Sequence, residues 1–326
     1  MSSDRVHLSV GEARSLGERA LRGIGYDAEE ARIVCDHVID AALCGYEYSG
    51  LAKILNIPES PRFKRPRGPM RVLHETEMST LFDGGNNVGM LTMHRATDAA
   101  IAKAARGGFA LVGVTNTWMS GRSAYYVERI ARADLVGIHT VSSSQAVAPL
   151  GGTRAVFGTN PIAFGLPSSR GPVVFDMGTS AFMMTELMLR ERLGEALPEG
   201  VALAPDGQPT RDPGEARRGA LLPFGGHKGF GLAFVMQALG LLAGSALDPD
   251  EDNGCLLIVF KPELLVSLDD FKRQLSGLID RVKETPRQAG VDEIRLPSER
   301  AFSSRERARR DGIEIDRAVY EALAAL

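Results

Sequence analysis

A glycine-rich stretch in the second half of the sequence carries the clearest sign of chemistry. Residues 224–229 read Phe-Gly-Gly-His-Lys-Gly and stand directly before a long apolar run that is typical of a helix. Backbone N–H groups and a cation at the N-terminus of a helix suit a phosphate group. Glycine is also the default residue of tight turns, so the stretch alone is compatible with a simple turn. His227 and Lys228 are therefore candidate anion ligands.

A carboxylate at the end of an apolar segment is the second candidate. Asp176 follows the strand-like run Val173–Phe175, and the sequence continues through Thr179 and Ser180. A carboxylate there can bind ribose hydroxyls or cap a helix, and Thr179 and Ser180 can cap the next helix. The Gly-x-Gly-x-x-Gly motif of Rossmann domains, which would open a helix after a strand, is absent.

Composition excludes several functional classes. The 326 residues carry a net charge of −3, which gives no electrostatic footprint for nucleic acid. The apolar run 232–242 is shorter than the roughly 20 residues of a membrane span. The first residues lack an apolar signal core, so we expect a cytoplasmic protein. Cys35, Cys44 and Cys255 have no metal-ligand spacing, which favours buried thiols and no metal site.

The hydrophobic pattern predicts a mixed α/β fold with helices at both chain ends. Residues 9–43 have helical spacing broken at 23–25, with Asp27 as a candidate N-cap, and 58–69 read as a surface loop. Strands are predicted at 70–73 and 79–82, ending in a turn at 83–85. Further helices are predicted at 91–105, 124–133, 181–193, 229–242, 268–282, 303–310 and 316–323, and further strands at 109–114, 135–141, 162–166, 173–175 and 255–260. We predict a helical domain, 1–69 with 262–326, and an α/β domain, 70–261.

Six motifs occur in an order that resembles a known family. They read TNPIAFGLPS, VVFDMGTS, LPEG, DGQPTRDP, LLPFGGHKGFGLAF and IRLPSER. The chain from about Ser9 to Leu326 is similar to the malate/L-lactate dehydrogenase family, which includes ureidoglycolate, sulfolactate and diketogulonate dehydrogenases and piperideine-2-carboxylate reductases. The resemblance implies a non-Rossmann mixed-sheet domain joined to a helical domain, usually in a homodimer.

The same resemblance implies NADH or NADPH as cofactor, bound across loops at strand ends. The implied cofactor contacts are Phe175, Asp176, Met177, Gly178, Thr179, Ser180, Ala181, His227, Lys228, Ser298, Glu299 and Arg300. Lys228 is chemically suited to pyrophosphate, whereas His227 could instead be structural.

The residues to which the family pattern assigns acid–base chemistry are replaced in this sequence. The family has Ser-His-Gly followed three residues later by Arg, and here Tyr48, Ser49 and Lys53 stand in place of that Ser, His and Arg. A second family histidine corresponds to Met119, beside Trp118, which packs in the core or stacks on nicotinamide or substrate. Arg122, just before a helix where a cation is not the preferred charge, is a candidate for the substrate carboxylate.

Three hypotheses follow from the missing histidines. Reduction of C=O creates an alkoxide, for which a positioned acid contributes a factor of about 10² to 10⁴. A protonated C=N already carries its proton, so the favoured substrate is a small cyclic or N-substituted 2-imino carboxylate, with Lys53 or Arg122 on its carboxylate. In the second hypothesis Tyr48 is the acid of a 2-oxo acid reductase, its pKa lowered by a cation such as Lys53. In the third the chain binds cofactor without turnover.

Overall fold

The computed structural model describes residues 4–247 and 253–326. Eleven helices within them are α1 Val10–Gly23, α2 Ala28–Leu43, α3 Ala52–Glu59, α4 Gly89–Gly107, α5 Ser123–Arg132, α6 Met184–Leu193, α7 Pro213–Arg218, α8 His227–Leu242, α9 Leu268–Lys283, α10 Glu299–Asp311 and α11 Arg317–Ala324. Eleven strands there are β1 Arg5–Leu8, β2 Arg71–Glu75, β3 Ser79–Val88, β4 Phe109–Trp118, β5 Val136–Ser142, β6 Ile162–Leu166, β7 Val173–Met177, β8 Ala202–Leu203, β9 Ala220–Leu221, β10 Gly254–Phe260 and β11 Ile313–Asp316. Short 3-10 helices cover Glu47–Ser49, Pro61–Lys64 and Pro262–Leu264.

The first two helices begin at capping boxes. Ser9 accepts from the backbone of Glu12 while Glu12 accepts from the backbone of Ser9, and Asp27 and Glu30 repeat the arrangement at α2. Each box satisfies two N–H groups that a helix start leaves without partners. The predicted break at 23–25 and the N-cap at Asp27 are confirmed. The predicted loop at 58–69 is partly helical, because α3, which the sequence pattern did not reveal, runs to Glu59 and a 3-10 helix covers Pro61–Lys64.

The central sheet has seven strands in the order β2-β3-β4-β10-β5-β6-β7. The β3–β4 pair is parallel and the other pairs are antiparallel. Helices α4 and α5 pack on one face, where Ile130 fills the space beside Gly137. Helix α8 covers the other face, with Gly240 against Ser142. This mixed sheet confirms the predicted non-Rossmann α/β class.

The predicted turn at 83–85 is wrong, because β3 continues through it to Val88. The pairing of β3 with β4 shifts register between Asp83 and Asn87, so the segment forms a bulge inside the strand. The Asn87 amide donates to the carbonyls of Gly68 and Gly84 at 2.7 and 2.8 Å. A Cβ at Gly84 would lie 2.9 Å from the carbonyl oxygen of Asn116, so glycine is needed for close approach rather than for chain reversal.

The two ends of the chain pack together. Strand β1 pairs with β11, α1 contacts α11, and α10 contacts α2. Helix α9 instead lies near the sheet region, where Lys272 pairs with Asp134 and Asp280 with Arg170. The division into 1–69 with 262–326 and 70–261 stays a prediction. Residues 1–3 and 248–252, which belong to it, lie outside the described residues.

An ion network connects these end helices to the sheet region. Arg305 of α10 donates to both carboxylate oxygens of Glu128 on α5, at 2.8 and 2.6 Å. Its Nε lies 3.5 Å from Asp40 on α2. Burial favours the neutral carboxyl of Glu128, yet the bonds from Arg305 and Arg132 hold its pKa below the ordinary range.

Two further expectations concern the thiols and the membrane. Cys35, Cys44 and Cys255 are free and buried, as predicted. In the described part of the chain, every helix is too short or too polar to span a bilayer.

Candidate active site

A cavity of about 450 Å³ lies where the segment 46–65 and Ser298 meet the ends of the strands β4, β5 and β7 and the start of β10. Its wall comes from residues 46–53, from the loop between β4 and α5, from the end of β7, and from the start of α6. Of the residues singled out from the sequence, those that line it are Tyr48, Ser49, Lys53, Trp118, Met119, Arg122, Asp176, Met177, Gly178 and Ser298. Residues far apart in the sequence therefore meet around one cavity, as is common for a substrate site.

Lys53 is a buried amine in the wall of this cavity. It lies in the first turn of α3 and is only 5% exposed. Its backbone N–H donates to the carbonyl of Gly50 at 3.0 Å, but among the described residues its Nζ has no hydrogen-bond or ion-pair partner. Burial lowers the pKa of Lys53 from 10.5 to about 8, because the charged form loses its hydration.

The phenol of Tyr48 has the opposite shift. Burial, with smaller contributions from Tyr46, Glu186 and Asp176, raises the pKa of Tyr48 to about 12. The cation that lowers it is Arg300, and its effect is the smallest of these. The pKa of this phenol is raised and not lowered, which contradicts the hypothesis that Lys53 activates it. Ser49 is buried beside it in the 3-10 helix Glu47–Ser49.

Two residues of α2 hold Arg122 at the cavity wall. Its backbone N–H donates to Nε2 of His37 at 2.8 Å, and its guanidinium pairs with Asp40, one helical turn further on. Burial, together with the charge of Arg122, lowers the pKa of His37 well below 6.5, so the ring is a neutral acceptor. A Cβ at Gly121 would lie 2.2 Å from the His37 ring. Sequence reasoning missed both α2 residues, although polar groups at i and i+3 on an apolar helix were a usable signal.

Asp176 caps a helix, but not the one that follows it. Its Oδ2 accepts from the backbone N–H of Ala124 at 2.7 Å, at the start of α5, where Arg122 provides no side-chain cap. Burial raises the pKa of Asp176, and the N–H of Ala124 and the charge of Arg122 offset part of that rise. Thr179 and Ser180 do not cap α6, since their hydroxyls donate to the carbonyls of Thr159 and Phe182.

Loss of this cap gives a measurable stability change. We expect Asp176→Ala to lower the free energy of unfolding by about 1–2 kcal/mol, because N–H groups of α5 lose their acceptor. Asp27→Ala, which removes the cap of α2, is the matched control and should have a similar effect. Urea titration measures both. An Asp176→Ala protein as stable as wild type would show that the carboxylate is not a cap.

Soft apolar side chains form much of the remaining wall. Trp118 is buried, donates its indole N–H to the carbonyl of Asn86 at 3.1 Å, and also lines the cavity. Met119 lines it from a left-handed conformation, φ 57°, of a kind that often marks functional loops. Further methionines in the wall are Met177, Met183, Met184 and Met188. Such side chains adapt to an apolar ligand.

The remaining predicted cofactor residues are distributed around the cavity. Thr179 and Ser180 are buried behind it, and Phe175 is exposed and stacks on Phe164. Glu299 accepts from the backbone of Leu296 and pairs with Lys283. Ala181, His227, Lys228, Glu299 and Arg300 are absent from the cavity lining. Arg300 lies 5.1 Å from the ring centre of Tyr46, which does line it.

The turn before α8 fits a phosphate group. Gly225 and Gly226 both have positive φ, and α8 has no side-chain cap at its first turn. His227 and Lys228 are exposed at this turn. The backbone N–H of Phe224 donates to the carbonyl of Thr179 at 2.9 Å, which links this turn to the strand end at Asp176.

Comparison with known proteins identifies the family. The model of the malate/L-lactate dehydrogenase family matches residues 8–324. The chain belongs to this family. Its malate/(S)-sulfolactate dehydrogenase from Methanothermus fervidus is 32% identical over 329 residues, covering 97% of this chain and 96% of that protein. The Δ1-pyrroline-2-carboxylate/Δ1-piperideine-2-carboxylate reductase from Pseudomonas aeruginosa is also 32% identical, over 98% of this chain and 99% of that protein.

Solved structures of the malate/L-lactate dehydrogenase family share the fold. A dehydrogenase from Sinorhizobium meliloti superposes with a TM-score of 0.89 at 29% identity, covering 99% of this chain and 98% of that one. Members of the family are dehydrogenases and reductases, which places the chain among the oxidoreductases. The resemblance noted from the six motifs is confirmed.

Proposed function

We propose that the chain is an NAD(P)H-dependent reductase of small 2-imino carboxylates, converting C=N to an amino acid. The lining of the cavity is the observation that supports this proposal. Lys53 and Arg122 line the same cavity as the strand end at 176–178, and no histidine is among the described lining residues. A protonated imine needs no proton from the protein when it accepts a hydride. Relatives named for pyrroline-2-carboxylate reduction support this substrate class.

Different residues of this chain would bind the cofactor and the substrate. Lys228, His227 and the glycine turn would hold phosphate, while Asp176, Met177 and Gly178 would lie along ribose and nicotinamide. When bound, the reduced nicotinamide supplies a hydride. Lys53 and Arg122 would pair with the substrate carboxylate, and Trp118 with the methionine wall would exclude water.

The test is turnover across paired substrates. NADH or NADPH oxidation is followed with Δ1-pyrroline-2-carboxylate, Δ1-piperideine-2-carboxylate, pyruvate, phenylpyruvate, and the two oxo acids with added methylamine. We expect the cyclic imines and the amine-supplemented reactions to be fastest. Turnover of oxo acids alone, with imines inert, would contradict the proposal. Cofactor binding without oxidation of any substrate would favour the non-catalytic alternative.

A second candidate is 2-oxo acid reduction. The observation that favours it is Lys53, an amine in the cavity wall whose pKa lies near 8 and which has no partner among the described residues. Relatives named as malate and sulfolactate dehydrogenases also support this activity.

Tyr48→Phe separates the candidate acids. A phenol whose pKa is raised to about 12 donates protons poorly at neutral pH, so we expect turnover to fall less than tenfold. A general acid would instead account for a loss of about 10² to 10⁴. The measurement is kcat with the best substrate of the panel, and Tyr320→Phe, far along the chain in α11, is the control. A loss above about 10² would return Tyr48 to the role of acid.

We propose a homodimer that covers α8. This helix is apolar on all sides, yet its buried residues are Gly229, Ala233, Met236 and Gly240. Phe234 is 60% exposed and Leu242 is 62% exposed. A helix that is apolar all round is normally buried, and a second copy of the chain would bury this one.

Phe234→Glu tests the proposed dimer. We expect the variant to sediment as a monomer at concentrations where wild type is dimeric, because a charge would be buried in an apolar interface. Glu306→Gln, on the exposed side of α10, should leave the assembly unchanged. Analytical ultracentrifugation provides the measurement. A wild-type monomer, or a Phe234→Glu dimer, would place the interface elsewhere or remove it.

We propose that the enzyme is cytoplasmic. Three buried free thiols support a reducing compartment.

The choice between NADH and NADPH is tested by the turnover measurements with paired substrates, in which both cofactors are used.

A further inference from the structure

Lys53 has a position that stability does not explain. It lies in the first turn of α3, where the helix dipole disfavours a cation. Its side chain is buried apart from the cavity surface, which removes most of the hydration of an ammonium group. The other buried lysine, Lys103, bonds to Glu75 at 3.2 Å and to the carbonyl of Thr76 at 2.7 Å, whereas Lys53 has no such partner among the described residues.

Charged groups on the elements that pack against α3 pair with residues other than Lys53. Glu47 of the adjoining 3-10 helix binds Arg5, and Arg62 of the next 3-10 helix donates to Asn86 and Asn116. On the packed helices α1 and α11, Arg14 pairs with Asp36 and Arg317 with Asp4. His37 senses the charge of Lys53 but is neutral. Arg65 and Arg122 share the cavity wall, and Asp40 is paired with Arg122.

We propose that Lys53 is a catalytic residue, the proton donor when a carbonyl substrate is reduced in this cavity. The inference rests on the proposed function, because it needs the cavity to be a hydride-transfer site. Ser49 and Lys53 both line the cavity, so Lys53 supplies a titratable group to the wall in which Ser49 stands in place of the family histidine. The titration of Lys53 near pH 8 suits a group that must be protonated at neutral pH and release its proton readily.

The hydride, the electron pair and the proton of the proposed step all have a named source and a named acceptor. The substrate carbon gains a hydride and is reduced as the dihydronicotinamide is oxidised. The C=O π electrons move to the oxygen, which takes a proton from Nζ of Lys53. The resulting neutral amine takes a proton from water, so the net reaction consumes one proton from solvent. An iminium substrate gains the same hydride and needs no proton, so its reduction does not use this step.

The test compares the two substrate types on the wild-type protein. Pyruvate is paired with an N-methylated cyclic 2-iminium carboxylate, whose charge does not change with pH. We measure kcat/KM for both between about pH 6 and 10, and take their ratio. Any role of Lys53 in holding the carboxylate cancels in the ratio. We expect the oxo-to-iminium ratio to fall about tenfold per unit above about pH 8, as the ammonium is lost. A flat ratio would overturn the proposal.

Lys53→Arg keeps the charge but removes titration in this range. We expect its oxo-to-iminium ratio to be about 10²-fold below that of wild type at neutral pH and independent of pH. Lys64→Arg, an exposed lysine outside the cavity lining, is the matched control and should keep the wild-type ratio. A wild-type pH profile in Lys53→Arg would overturn the assignment. If neither substrate oxidises NADH or NADPH in the wild-type protein, the proposed function fails instead.

A binding measurement gives a second readout without turnover. Trp118, the only tryptophan of the chain, lines the same cavity and reports oxamate binding through its emission, in the presence of oxidised cofactor. We expect the Kd of oxamate to rise above about pH 8 in wild type and to stay constant in Lys53→Arg. A wild-type Kd that does not change with pH would show that Lys53 does not titrate beside the ligand.

Discussion

Replacing Lys53 by methionine should make the protein more stable. The pKa of Lys53 is about 8 in the folded chain against 10.5 for an exposed lysine, so the folded state binds its proton less tightly than the unfolded state. That difference corresponds to about 3 kcal/mol at neutral pH, which Lys53→Met would recover because methionine fills a similar volume without a charge. Urea titration at about pH 7 measures the gain.

The pH dependence has a definite sign. Below about pH 8 both states carry the Lys53 proton and the cost of burial is complete. Between about pH 8 and 10.5 the folded state has lost the proton while the unfolded state still holds it, so wild-type stability rises with pH in this window. The advantage of Lys53→Met should therefore shrink across it. Lys103→Met is the matched control, and we expect it to be destabilising because Lys103 has partners. A Lys53→Met protein less stable than wild type would mean that the ammonium has a structural partner.

Arg305→Met should have the largest destabilising effect. The substitution leaves Glu128 as a buried carboxylate and removes a neighbour of Asp40, and breaking a buried pair in this way costs about 3–5 kcal/mol. Since Asp40 also binds Arg122, we expect a rise in KM for the substrate as well. Urea titration and steady-state kinetics provide the two measurements.

Two comparisons keep this prediction specific. Arg309→Met removes an exposed pair with Glu306 on the same helix and should change stability by less than about 1 kcal/mol. The double variant Arg305→Met, Glu128→Gln should be more stable than Arg305→Met alone, because the buried charge of Glu128, which then has only Arg132 as a partner, is gone. An Arg305→Met loss below about 1 kcal/mol would show that the network does not hold the end helices to the sheet.

Much of the fold was predictable because its signals are local. The helix break at 23–25 and the Asp27 cap depend on neighbouring residues, and the apolar runs of β6 and β10 mark their strands directly. The bulge at Asp83–Asn87 was not predictable, because a Gly-Gly pair is typical of a turn and only the approach of β4 explains its use in a strand. The two-residue strands β8 and β9 carry no periodicity to detect.

The sequence indicated which residues belong to the candidate site, but not which residues they contact. Motif positions indicated Lys53, Arg122 and Asp176, and the structure places all three on one cavity. That Asp176 caps α5 and that Asp40 binds Arg122 depend on contacts across 52 and 82 residues, which no local pattern reveals. No local pattern reveals that the amine of Lys53 is buried without a partner either, and both its titration and its proposed role depend on that.

Transfer of hydride to substrate carbon is the central claim, and isotope transfer measures it most directly. NADH or NADPH carrying deuterium at the transferring position of C4 is incubated with enzyme and Δ1-pyrroline-2-carboxylate, and the amino acid product is examined by mass spectrometry and NMR. The account predicts proline with deuterium at C2, formed in a reaction that Lys53→Met slows. Unlabelled product, or bound cofactor with no product from any imino or oxo acid, would contradict it.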